Sequence, residues 1–255
     1  MYKKSLTIII ILILISVVFL YAEESKSRDA SEGVSQSVSQ SAEQQNFDKW
    51  ILNDIRGKRY SDYRQYFNDL FDSASKQNIP AALLINKIRE GAAKNIPPQR
   101  LIAAVSNELI RLETAKDILD NEKITPKDYG YYEDTLKHIS ILFLGGIESK
   151  TIIELLKLKD KYSRTADDVL TACDVLIQFN SIDRLSQGDL YSTGRALLMS
   201  RLKSASFSSI ASIYLNARAK RIKTGDILKI IGTTLENGGG LIQIDREISD
   251  RSRNR

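Results

Sequence analysis

The chain has 255 residues, enough for one or two domains with a real core, and its four prolines among many Leu, Ile, Ala, Lys and Glu favour helix. The formal charge is +5, two units of which are Lys3 and Lys4, a balance that argues against a nucleic-acid binder. The single Cys excludes an internal disulfide.

Lys3 and Lys4 precede an apolar run from Leu6 to Tyr21, and Ala22 then meets Glu23-Glu24. This is the form of a secretory signal cut between Ala22 and Glu23. The run is also long enough to stay as a single-pass anchor, and then residues 6–21 would be the membrane contact. Either outcome predicts export: periplasmic or secreted, or tethered to the inner membrane. Residues 23–45 are rich in Ser and Gln and hold almost no large apolar side chain, so a disordered linker is expected there.

From residue 46 the apolar spacing becomes helical. A short helix around Phe47, Trp50 and Ile51 comes first, then one capped by Ser61 with Tyr63, Tyr66, Phe67, Leu70 and Phe71 on one face. The stretch from Asn78 to Pro98 is a helix with Asn-Ile-Pro at each end. Pro80 and Pro97 suit first turns, where a missing N–H costs nothing. Gly91 marks a close approach or a frayed end. Lys87, Glu90 and Lys94 are spaced three and four apart and form a helical charge ladder.

Further helices are predicted from Thr125, Ser149, Thr165, Ser186, around Ile210, and from Thr224. Thr125–Asp128, Thr165–Asp168 and Ser186–Asp189 have the form of capping boxes. Glycine pairs or runs end the helices at Gly145-Gly146 and Gly238-Gly239-Gly240. The expectation is an all-α domain over 46–240, with nine or ten helices packed as an irregular bundle or an α-solenoid-like array of hairpins. Residues 241–255 read as a basic flexible tail with one strand-like piece, Leu241 to Asp245. Asn-Ile-Pro recurs at 78 and 95, and a looser match at a 58-residue offset pairs Asp168 with Asp226 and Leu170 with Leu228.

Little here points to chemistry. His138 is the only histidine and flanks an apolar helix face, so no metal site is expected and no cofactor is called for. Cys173 lies on the stripe Val169, Leu170, Leu176, Ile177, the place of a buried structural thiol. Glu148-Ser149 and Gly240-Leu-Ile-Gln243 resemble the two signatures of lytic transglycosylases, which makes Glu148 a candidate catalytic acid. The motifs stand much farther apart than that family keeps them, and an acid at a helix start is expected anyway. Arg218, Lys220, Arg221 and Lys223 cluster at a helix end, and Arg246, Arg251, Arg253 and Arg255 follow in the tail. Together they are the candidate binding residues for an anionic lipid or cell-wall component.

The pattern Ile79-Pro80-x-x-Leu83-Leu84-x-x-Lys87-Ile88-x-Glu90-Gly91-x-Ala93-Lys94-x-Ile96-Pro97 resembles one carried by exported bacterial all-helical proteins of uncharacterised function. It covers about a tenth of the chain. The resemblance implies an envelope protein and brings no catalytic residues. The functional expectation is a non-enzymatic binding or scaffolding module, with a glycan-cleaving enzyme using Glu148 as the alternative.

Overall fold

The computed structural model describes residues 36–122, 124 and 132–253, with side chains from residue 42. The N-terminal run, the Ala22–Glu23 junction, most of the linker and the Thr125–Asp128 capping motif lie outside the described residues. The described part is all-α. Eleven helices follow in order: α1 (Gln36–Asn53), α2 (Arg64–Lys76), α3 (Ala81–Ala93), α4 (Pro98–Asn121), α5 (Tyr132–Leu144), α6 (Ser149–Leu156), α7 (Ala166–Ile182), α8 (Gln187–Met199), α9 (Phe207–Ala219), α10 (Thr224–Glu236) and α11 (Leu241–Arg253).

Within the packed unit Ala42–Arg255, the principal helix pairs are all one or two apart in chain order. Helices α2, α4, α6, α8 and α10 stack in one layer, and α5, α7, α9 and α11 in the other, with α3 packed on α2 and α4. That is the connectivity of a stacked hairpin array, in which each unit buries its apolar face on its neighbours. Seven side-chain hydrogen bonds join residues 36 apart, which sets the two-helix step. The 58-residue offset seen in the sequence relates α7 to α10, helices of different layers, and is a likeness of two helix starts.

The Asn-Ile-Pro motif has a definite mechanism. Asn78 and Asn95 both stand in the left-handed region, at φ 56° and 54°. In each, the isoleucine N–H reaches back to a carbonyl five residues earlier: Ile79 N to Ala74 O at 2.9 Å, Ile96 N to Gly91 O at 2.9 Å. This is the Schellman helix end, whose hallmark is a hydrophobic contact made by the residue after the left-handed one. Ile79 is fully buried, and Ile96 packs against the core. The same bonds form at Gly146-Ile147 and Arg221-Ile222, and both isoleucines are buried. Among the described residues, all six left-handed ones pair at a spacing of 17: Asn78 with Asn95, Gly146 with Ser163, Arg221 with Gly238.

Between α3 and α4, a Cβ on Gly91 would lie 2.3 Å from Leu101 Cδ1, so the glycine serves close approach. Lys87, Glu90 and Lys94 form the expected ladder. The Thr165 capping box is complete, Asp168 N donating to Thr165 Oγ1 and Thr165 N to Asp168 Oδ2. Ser186 caps α8 through Asp189 N but without the reciprocal bond.

Three expectations are revised. Residues 36–45, read as linker, belong to α1. That helix is anchored by Phe47 and Ile51, both fully buried, and Phe47 meets Phe67 and Phe71 edge-on at 6.0 and 5.0 Å. Ser61 does not cap α2: Lys58–Tyr63 is a 3-10 turn, and Ser61 Oγ donates to Lys58 O within it. The stretch 241–255, read as a flexible tail with a strand-like start, forms α11 from Leu241 to Arg253. Ile244 and Ile248, spaced four apart, are buried, and the other face is polar, which suits the last helix of an array.

Candidate functional site

In a two-layer array the connections collect along two edges. One edge carries the turns after α3, α5, α7 and α9: residues 94–97, 145–148, 183–186 and 220–223. Side chains stitch these turns together. Asn180 Nδ2 donates to Gly145 O at 2.7 Å and Gln187 Nε2 to Gly146 O at 2.8 Å. Thr151 Oγ1 donates to Gln187 Oε1 at 2.9 Å.

The α7–α8 and α9–α10 turns are joined by a partly buried polar knot. Tyr214 Oη donates to Asp183 Oδ2 at 2.5 Å, and Arg218 Nη2 to Asp183 Oδ1 at 2.9 Å. Arg218 Nη1 also donates to Ile222 O at 2.6 Å, closing the next turn. Burial alone would raise the Asp183 carboxyl; the bonds from Tyr214, Arg218 and Thr224 and the Arg218 charge outweigh it and hold it below the usual range. Burial and the Asp183 carboxylate push the Tyr214 phenol up. The Tyr214 ring stacks on Phe179 at 4.1 Å between centroids.

Arg218 is therefore withdrawn from the set of candidate binding cations: it spends its guanidinium on Asp183 and a turn carbonyl. Lys220, Arg221 and Lys223 remain exposed on the turn. Arg184, exposed in the adjoining turn and absent from the sequence-based set, joins them. Helix α11 runs toward the same edge and ends there, fixed by Arg251 Nη2 to Asp226 Oδ1 at 3.2 Å. Arg253, 80% exposed, follows two residues on. Residues remote in sequence thus form one basic edge: Arg184, Lys220, Arg221, Lys223, Arg251 and Arg253. Arg246 lies apart, lining a groove near the start of α11, and Arg255 lies outside the described residues.

Acids on this edge are largely engaged. Asp183 holds Arg218, Asp226 holds Arg251, Asp250 lies 4.0 Å from Arg253, and Asp189 accepts from Ser186. Arg184, Lys220 and Lys223 have no ion-pair partner among the described residues.

Arg221 stands out on backbone grounds, with φ at 63°. A left-handed backbone costs an L-residue about 1–2 kcal/mol, and Asn or Gly holds four of the six such positions here.

Glu148 also lies on this edge. It is exposed at the N-cap of α6, and its backbone N–H donates to Gln187 Oε1 at 3.1 Å. Gln243 sits at the start of α11, on the opposite edge, where it donates to Glu247 Oε1 at 3.0 Å. The structure does not bring the two transglycosylase-like motifs together. It places Glu148 outside two grooves, one lined by Leu202, Ile242 and Glu247 and the other by Ser192, Lys229 and Glu236.

The remaining reactive side chains have packing roles. Cys173 is fully buried, and burial pushes its thiol well up. His138 Nε2 lies 2.7 Å from Asp174 Oδ1, linking α5 to α7. Burial alone would lower the imidazole; the Asp174 bond and the charges of Asp174 and Asp167 outweigh it and raise it. Glu108, buried, accepts from Arg111 at 2.6 Å and Ser140 at 2.8 Å and ties α4 to α5. Among the described residues no group of three or more side chains is set to hold a metal ion, and no helix is long and apolar enough to cross a membrane.

Comparison with protein-family models, with curated proteins and with solved structures yields no match.

Proposed function

We propose that this chain is an exported bacterial envelope protein whose helical array is a non-enzymatic binding or scaffolding module. The observation that carries the reading is the basic edge. Three separate pieces of chain deliver cations to it, and partly buried bonds around Asp183 and Arg218 hold two of the turns in register. An array of this kind presents side chains at fixed spacing along an extended surface, which suits recognition better than bond cleavage. The export part rests on the sequence of residues 1–23, and the envelope part on that and the motif from Ile79 to Pro97.

Two measurements test this. The mass of the N-terminus, taken from the protein isolated from a bacterial host, should begin at Glu23, or at Met1 in a membrane fraction. Recovery from the cytoplasm with an intact N-terminus would overturn export. Incubation of the protein with peptidoglycan should release no soluble glycan. Release that Glu148→Gln abolishes would replace the binding reading with the glycan-cleaving one.

A further inference from the structure

We infer that the basic edge formed by the α7–α8 turn, the α9–α10 turn and the end of α11 docks on an anionic lipid surface. The inference rests on the binding-module reading and names its partner. Three observations carry it.

The first is charge. Arg184, Lys220 and Lys223 are exposed and lack ion-pair partners among the described residues, while Asp183, Asp226, Asp250 and Asp189 beside them are occupied by Arg218, Arg251, Arg253 and a helix cap, leaving Glu148 of the neighbouring turn as an exposed acid. The second is form. The cations stand along an open edge, and none of them lines the groove beside α11 or the one between α8 and α10. A threaded polymer is gripped in a groove; an open row of basic side chains is complementary to a plane of headgroups. The third is the backbone at Arg221. A left-handed position that asparagine or glycine fills in four of the six cases here holds an arginine in the middle of this edge, and strain of that kind clusters where a side chain is needed.

The opposite edge also holds cations and supplies the control. Lys157 and Lys159 have carboxylates within 4.0 and 3.3 Å, and Arg164 is consumed by three carbonyls, of Leu198, Ser200 and Leu202, while Lys161, Arg201 and Lys203 are exposed with no ion-pair partner among the described residues.

The test is sedimentation with vesicles, using the protein as isolated from expressing cells. Vesicles of phosphatidylcholine alone are compared with vesicles rich in phosphatidylglycerol. Lipid is kept at a level where the neutral vesicles hold less than half the protein, so that any retained apolar N-terminus does not saturate the readout. The triple variant Arg184→Gln, Lys220→Gln, Lys223→Gln removes three edge charges. Its control, Lys157→Gln, Lys161→Gln, Lys203→Gln, makes the same net change on the opposite edge. Unchanged melting by circular dichroism establishes that both variants are folded.

The edge variant should lose roughly five-fold in partitioning per charge, on the order of a hundredfold in all, on anionic vesicles and nothing on neutral ones. The control should lose far less, and added salt should erase the difference. Equal losses in both variants, or none in either, would overturn the inference. So would edge-dependent binding to soluble polyglutamate without edge-dependent binding to vesicles. That last result would leave the binding-module reading standing with a different partner.

Discussion

The first and last of the 17-residue units make an instructive pair. Asn78–Asn95 and Arg221–Gly238 each enclose a 13-residue helix between two left-handed residues, with the same hydrogen bonds closing each helix. In the first unit both special positions are asparagine, each followed by Ile-Pro, and the turn is plain in the sequence. In the last, arginine takes the first position and glycine the second, with Ile-Lys after one and Gly-Gly after the other. One backbone is thus written in two scripts. The shared part is the buried isoleucine after the first left-handed residue; the rest is free to serve other ends, and at Arg221 it carries charge.

The largest effect that could break this equivalence lies in the polar knot of the last unit. Asp183→Ala should cost about 3–5 kcal/mol, because two charge-assisted hydrogen bonds are lost, from Arg218 and from the buried Tyr214. Denaturant unfolding measures it. Since the folded carboxyl is held below its usual range, this stabilisation is full above the unfolded value and fades as pH falls through the folded one. The wild-type and variant curves should therefore converge in acid.

Next come the paired isoleucines. Ile79→Ala and Ile222→Ala should each cost about 2–5 kcal/mol, and by similar amounts, because both side chains are fully buried after a Schellman end. A large inequality in urea midpoints would break the comparison. Smaller and of opposite sign, Arg221→Gly should stabilise by about 1 kcal/mol through relief of the left-handed backbone. Asn78→Gly should change stability less, since asparagine tolerates that conformation.

The smallest effect concerns His138. Its folded pKa is raised, so the charge it shares with Asp174 stabilises fully below about pH 6.5 and fades as pH rises through the folded value. Melting of wild type and His138→Gln should differ most in mild acid and approach each other in mild base.

Much of the helical layout was legible because apolar residues recur at three and four and because Pro80, Pro97, Thr165 and Gly146 punctuate it locally. The end of the chain was misread for a local reason too. Leu241-Ile-Gln-Ile alternates like a strand, and the many charges after it suggest fraying. Only the α9 and α10 surfaces waiting to be covered turn Ile244 and Ile248 inward. The basic edge was half legible. Lys220, Arg221 and Lys223 lie within four residues, but Arg184 is a lone cation in a turn, and nothing local says that α11 ends on the same edge. Arg218 reads in the sequence as one of the candidate binding cations because its partner, Asp183, is 35 residues away. The signal that could have found Arg184 is its place one residue after Asp183, the acid that binds Arg218.

The 36-residue step gives the array a property of its own, that of a ruler with removable divisions. The principal packed pairs reach at most two helices along, so one hairpin more or fewer would shift what lies beyond it as a block and leave the local bonds intact. Length along the edge is therefore a quantity that can change by whole units. A shortened chain lacking one internal hairpin should still fold, with the cations of the α9–α10 turn and α11 unchanged relative to each other and moved one step nearer the first turn.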